Sequence, residues 1–254
     1  MRPLALLTND DGLAAPGLDA LRAELARFAE VVVCAPRSNQ SATSHALTLA
    51  SVLRLERIDA ATFALDGTPA DCVYVALHSN ARLLSRRPDL VVSGMNHGPN
   101  LGVDVVYSGT VAAAREGAHR GIPSLAVSAD THADRAAAAA LGARVAHAWW
   151  TAIEAGTAGP LLLNLNIPAG AGWPLRPTRL GRRLYEDEVI YRVDPRGREY
   201  LWIGGSRVVH EPGEGTDTEA WDAGAASLTP LTLELSSLEH LPFVLDLGTA
   251  IDQP

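Results

Sequence analysis

The chain has 254 residues, a net charge of −8 and 20% charged residues, which is room for one large domain or a domain with a small appendage. An acidic balance argues against a nucleic-acid polymer as partner, because a backbone binder wants a basic face, and no uncharged apolar stretch reaches the roughly 18 residues of a membrane span. All 21 basic residues are arginine, and the lack of lysine alone removes a Walker A loop from consideration.

From the N-terminus, "PLALLT" reads as a strand. "APGLDALRAELARFA" reads as a helix with Leu18, Leu21, Leu25 and Phe28 at helical spacing, and "EVVVCAP" as a β-branched strand. Cys34 closes that run as a buried structural thiol, and with Cys72 it makes no disulfide framework. The apolar start is too short for a secretory signal, so the cytoplasm is the expected compartment. The alternation continues with "DCVYVALHSNARLL" as helix, "PDLVVSG" as strand, "GTVAAAREGAHRG" as helix and "IPSLAVSA" as strand. An alanine-rich helix from about Arg135 follows, then "PLLLNLNIP" as strand.

Strands separated by helices of this length predict an α/β fold, a doubly wound, mostly parallel, Rossmann-like sheet over residues 1–170. Residues 171–254 read as a region packed on that core, with a projecting β-hairpin over residues 176–205 and a C-terminal segment. That segment holds a short helix in "TDTEAWDAGA", a late strand in "ASLTPL" and helix-like spacing in "LEHLPFVLDLGTA". One domain overall is expected.

Ligands of an open parallel sheet bind beyond the carboxyl ends of its strands. Thr8, Asn9, Asp10, Asp11 and Gly12 follow the first strand; Ser38, Asn39, Ser41, Thr43, Ser44 and His45 follow the second. Asn96, His97, Asn100, Asp104, Ser108 and Thr110 follow "DLVVSG". Adjacent carboxylates at a strand end repel unless a cation intervenes. Asp11 as a helix cap with Asp10 in water is the simpler reading. With Ser41 and Asn96 arriving from neighbouring loops, a divalent metal is the stronger one, and these hard oxygen donors favour Mg²⁺, Mn²⁺ or Ca²⁺ over zinc. "YSGT" leads straight into a small-residue helix, which is either ordinary capping by Ser108 or Thr110 or an anion site. "SGMNHGPNLG" is a tight loop, and His45 and His97 flank the same edge. A receiver domain would want a lysine, and the dinucleotide fingerprint is absent after the first strand. A metal-plus-phosphate site survives.

"TNDDG", "APRSNQSATSHALT", "GTPADCV", "VVSGMNHGPNLGVDVVYSGTVAAAREG", "IPSLAVS", "LLLNLNIP" and "RVDPRGREYLWIGG" occur in the order found in the survival protein SurE family, which the chain resembles from Met1 to about Leu231. The resemblance implies a nucleotidase that hydrolyses nucleoside monophosphates, 5′ and in some cases 3′, with one divalent cation per subunit, Mg²⁺ or Mn²⁺. That metal would sit on Asp10, Asp11, Ser41 and Asn96. It implies phosphate contacts at Ser108, Gly109 and Thr110, with Asn96 and Asn100 on the same rim as further expected phosphate-binding residues, and a homodimer or homotetramer built through the hairpin and C-terminal region. Water would attack the phosphate directly, with Asp11 or Asp10 taking its proton; a phosphoaspartate at either is the enzymatic rival. A metal-dependent nucleotide-binding or sensing module is the non-catalytic rival. Two positions depart from the family pattern: Ser44, where a glycine is usual, and Ala225, where a tyrosine is common.

Overall fold

The order in which the chain builds its sheet decides where a ligand can sit. The computed structural model describes residues 2–157, 159, 161–185, 189–203 and 208–251. In chain order these form β1 (Leu4–Thr8), α1 (Pro16–Leu25), β2 (Glu30–Pro36), β3 (Leu55–Arg57), β4 (Thr62–Leu65), α2 (Pro69–His78) and β5 (Leu90–His97). Then come α3 (Gly109–His119), β6 (Ser124–Ala129), α4 (Arg135–Glu154) and β7 (Leu162–Ile167). The remainder is β8 (Leu175–Pro177), β9 (Arg183–Tyr185), β10 (Val189–Val193), β11 (Glu199–Ile203), β12 (Val208–His210), α5 (Asp217–Asp222), β13 (Ala226–Leu231) and α6 (Leu241–Ile251).

Nine strands form one sheet in the order β3-β4-β2-β1-β5-β6-β7-β13-β8. From β4 to β7 every neighbouring pair is parallel, as expected for strands linked by right-handed helical crossovers. The chain winds outward from β1 through β2 to β4, then returns to place β5 on the other side of β1. The switch point therefore lies between β1 and β5, where doubly wound sheets open a crevice at the strand ends.

Both faces are covered. Leu18, Leu21 and Leu25 of α1 and Ala138, Leu141 and Val145 of α4 pack on one face over Val92, Val127 and Leu165. Cys72, Val73 and Ala76 of α2 and Ala113 of α3 pack on the other over Leu6, Phe63 and Val91. Each fully buried leucine contributes about 1.5–3 kcal/mol, and strands covered on both sides read as the continuous apolar runs of the sequence. Both cysteines are free and buried; burial, with Cys34 beside it, pushes the Cys72 thiol well above its usual value. Among the described residues, no helix is long and apolar enough to cross a membrane.

The structure refines several expected elements. The second helix stops at His78, because Asn80 and Ala81 adopt left-handed φ values of 51° and 64° that end it. The sheet crosses the expected division at residue 170: β13 inserts antiparallel against β7 and parallel against β8. The expected single hairpin is two separate ladders. β10 and β11 pair across a tight turn in which Asp194 Oδ1 accepts from the Arg196 and Arg198 amides at 2.8 and 2.9 Å, while β9 pairs with β12. Residues 186–188, 204 and 205 of that expected hairpin lie outside the described residues.

Asp217, at the start of α5, ties the C-terminal region to the core. Its side chain is fully buried, and its two oxygens accept from Gly102 N at 2.9 Å and Gly181 N at 2.7 Å. Asparagine can accept only one of these bonds and turns an N–H₂ toward the other donor. Asp217→Asn is therefore expected to lower stability by about 3 kcal/mol, read as an earlier midpoint in urea unfolding.

Candidate metal and phosphate site

Asp10 stands two residues past the end of β1 and is 4% exposed. Burial pushes its carboxyl up to about 6; the hydrogen bond from Thr110 works against this and the charge of Asp11 adds to it. Thr110 Oγ1 donates to Asp10 Oδ1 across 100 residues of sequence, and the backbone carbonyl of Asp10 accepts from Gln40 N at 2.7 Å. Asp11 Oδ2 accepts from His97 N at 3.0 Å, which binds the end of β1 to the end of β5. Among the described residues, no arginine or histidine forms a salt bridge with either carboxylate. The repulsion that the sequence implies is therefore not offset by a basic side chain.

The loop after β1 is held tightly. Asn9 Nδ2 donates to Gly12 O at 2.9 Å, and Gly12 has φ of +100°, which only glycine adopts without strain. A Cβ there would meet Ser38 C at 3.1 Å and Asn39 N at 3.3 Å, so the glycine also admits the loop that carries Ser41. Asn96 stands where the β5–β6 register shifts between Gly94 and Asn96, an irregularity of the kind that re-aims a side chain beside a site. Its Nδ2 donates to Gly98 O at 2.8 Å.

These contacts test whether a cation fits. Asp11 Oδ1 and Asn96 Oδ1 form no side-chain hydrogen bond among the described residues, and Asp10, which takes the Thr110 hydroxyl and backbone N–H, keeps lone pairs on Oδ2. Ser41 Oγ spends its proton on Asn39 Oδ1 at 2.7 Å and keeps its lone pairs. Four oxygens, from the loops after β1 and β2 and from the end of β5, thus remain as acceptors, two of them anionic. Among the described residues there is no group of three or more His, Cys, Asp or Glu side chains that could hold a metal. A donor set with two carboxylates and neutral oxygens suits a hard divalent cation that keeps open positions.

Asp10, Ser41, Asn96, Asn100 and Ser108 line one cleft of about 900 Å³, whose outer wall includes Val103, Tyr107, Leu184 and Tyr185. Ser108 caps α3, its Oγ accepting from Val111 N at 3.0 Å. The hydroxyl of Thr110, read from the sequence as a phosphate contact, is turned onto Asp10 instead and is fully buried. Asn100 is buried too. Its Nδ2 donates to Ser128 Oγ at 2.8 Å, and its backbone carbonyl accepts from Asn164 and Asn166 at 2.9 and 3.1 Å, so it holds the rim in place. His97 lines the cleft, whereas His45 turns away to Glu116, at 3.0 Å. Asp104 at the mouth accepts from Arg183 Nη1 at 2.5 Å and from the Tyr185 hydroxyl at 2.6 and 2.7 Å. Burial and that carboxylate raise the Tyr185 pKa. Glu116 and this Asp104 lock were not legible in the sequence, because both act between segments far apart in the chain.

The sequence matches the family model "Survival protein SurE" over residues 5–187. The chain belongs to the SurE family. A curated relative from Sorangium cellulosum, named 5′-nucleotidase SurE, is 64% identical over 94% of this chain and 93% of its own. One from Syntrophotalea carbinolica, of the same name, is 46% identical over 92% and 93%. The crystal structure of the SurE protein from Aquifex aeolicus superposes with a TM-score of 0.81 at 35% identity, covering 97% of this chain and 100% of that one.

Family membership gives the Ser44 departure a physical meaning. Ser44 has φ of +53°, a left-handed conformation that glycine adopts freely and that costs other residues roughly 1–2 kcal/mol. Here its Oγ donates to Val106 O at 2.6 Å and its N–H to Tyr107 O at 3.0 Å. Ser44→Ala, which keeps the strain and loses the hydroxyl bond, is expected to lower stability by about 1 kcal/mol. Ser44→Gly, which relieves the strain, should melt above the alanine variant.

Proposed function

We propose that this SurE family member is a 5′-nucleotidase, a phosphomonoester hydrolase acting on nucleoside monophosphates, 3′ as well as 5′, with Mg²⁺ or Mn²⁺. The observation that carries it is the Asp10–Asp11 pair at the β1/β5 switch point. Its carboxylates have no basic partner among the described residues, and it sits beside two further acceptor oxygens, of Ser41 and Asn96, and the N-terminus of α3. The names of the relatives supply the substrate class. Asp10, Asp11, Ser41 and Asn96 would hold the cation, which when bound offsets phosphate charge and activates water.

The chain's own residues do the rest. The Gly109 N–H at the start of α3 and the Ser108 hydroxyl bind the phosphate oxygens, where the helix end favours an anion, while Thr110 serves Asp10. Thr110 Oγ1 and His97 N fix the two carboxylates in place. Asp11, only half spent on His97, accepts the proton of the attacking water. Asn100 keeps the rim in register, and the wall of Val103, Tyr107, Leu184 and Tyr185 takes the nucleoside. The protein works in the cytoplasm as a homodimer or homotetramer, assembled through the exposed apolar residues of β10, β11 and α6, among them Tyr191, Trp202, Ile203 and Phe243.

The deciding assay is phosphate release from a panel of nucleoside 5′- and 3′-monophosphates, after chelation and again with Mg²⁺ or Mn²⁺ restored. Metal-restored release supports the reading. Nucleotide binding without release under any metal would replace it with a sensing module.

A further inference from the structure

We propose that Glu116 and His45 form a positioning pair that fixes the loop carrying Ser41, so that α3 sets both sides of the cation site. The link from that loop to the cation rests on the function proposed above. The segment between β2 and β3 has no helix or strand, and Ser41 lies exposed within it. Two of its non-glycine residues, Ala42 and Ser44, hold φ of +59° and +53°. Such conformations persist only where the surroundings over-determine them.

The residue after Ser44 supplies that hold. His45 Nε2 lies 3.0 Å from Glu116 Oε2, and Glu116 is 3% exposed on α3. The other oxygen, Oε1, accepts from Arg120 Nε at 3.0 Å and Nη2 at 2.8 Å. Burial raises the Glu116 pKa, but the His45 and Arg120 donors outweigh it and leave the carboxyl below its ordinary value. Glu116 is thus an anion, an acceptor only, and the proton between it and His45 belongs to the histidine. Such charge-assisted bonds are the strong ones.

The loop has other tethers, at Gln40 N to Asp10 O, Ser44 to Val106 and Tyr107, and Thr48 to Asp71. Among the described residues, His45–Glu116 is the only hydrogen bond from residues 38–50 to α3. Glu116 also stands on the helix whose first turn holds Asp10 through Thr110, about 9 Å away along the axis. One rigid helix therefore spaces the Asp10 and Ser41 oxygens, and support of this kind typically carries a 10–100-fold effect on metal affinity.

Hydrogen–deuterium exchange on the full chain tests the pair, comparing wild type with His45→Ala and His45→Gln. Exchange at residues 38–46 should rise about tenfold in the alanine variant, with β1 and β5 unchanged. Glutamine, whose Nε2 can donate to the same oxygen, should restore most of the protection. Mn²⁺ affinity, read by electron paramagnetic resonance without substrate, should fall about tenfold in His45→Ala and recover in His45→Gln. Unchanged loop exchange in His45→Ala overturns the proposal whatever Mn²⁺ does, and so does loss of protection throughout the molecule. A selective loop effect in a protein that binds no Mn²⁺ at all supports the positioning role and refutes the metal reading instead.

Discussion

Asp10→Asn is expected to lower phosphate release from nucleoside monophosphates by about 10³-fold and, in the metal-free protein, to raise stability. The two effects have one origin. Asp10 is almost wholly buried next to Asp11 and, among the described residues, has no salt-bridge partner, so its negative charge costs the fold, a cost that the proposed function assigns to holding a cation. Loss of one anionic ligand removes several kcal/mol of transition-state stabilisation, and each 1.36 kcal/mol is tenfold in rate.

The stability effect follows from linkage. Burial holds the folded carboxyl near 6 against a usual value of 3.8, so the folded state binds the proton more tightly than the unfolded chain does. Folding is therefore favoured most below pH 4, loses stability as pH rises from about 4 to 6, and stays lower above that. A shift of this size is worth about 3 kcal/mol at most. Asparagine cannot ionise and still accepts from Thr110. In EDTA the variant should melt well above wild type at pH 8 and converge with it toward pH 4. Equal melting at pH 8 would mean that Asp10 is not destabilised by its surroundings. Retained turnover would remove it from the catalytic set.

The same tension explains what could be read from the chain. Apolar runs such as "LALLT" and "EVVVCAP" announce a two-sided parallel sheet, because strands covered on both faces have no polar side to show. The loops at their ends stand out because a strand end loaded with Thr8, Asn9, Asp10 and Asp11 has no packing rationale. β3 and β4 escaped notice for the opposite reason. Leu55–Arg57 is a three-residue edge strand exposed to solvent, and Thr62–Leu65 is too short to show a period. The placement of β13 between β7 and β8 depends on pairing choices that hydrophobic pattern does not encode. At the site, proximity was legible and direction was not: Thr110 stands at the expected helix end, yet its hydroxyl points back to Asp10. Glu116 reads as one more acid on a helix until His45 is brought to it.

Gly109→Ala is expected to cost about 100-fold in kcat/KM with little loss of stability. Alanine suits the first turn of a helix better than glycine by up to about 1 kcal/mol, so local propensity alone would favour the change. Packing opposes it. A Cβ on Gly109 would stand 3.0 Å from Asp10 Cβ, 3.1 Å from Asp10 Oδ2 and 3.2 Å from Pro69 Cγ. These approaches are tighter than ordinary van der Waals contact. Asp10 is anchored through Thr110 and Gln40, and Pro69 belongs to the first turn of α2. The strain therefore falls on the Asp10 side chain or on the start of α3, to which the proposed function gives the cation and the phosphate. A displacement of about 1 Å at either is enough to cost 10²-fold in rate. Steady-state kinetics beside a melting curve distinguish this from simple misfolding. A large fall in kcat/KM with Tm within about 3 °C of wild type is the expected result. Unchanged kinetics would show that the close approach of α3 to Asp10 is packing alone and that the phosphate lies elsewhere in the cleft.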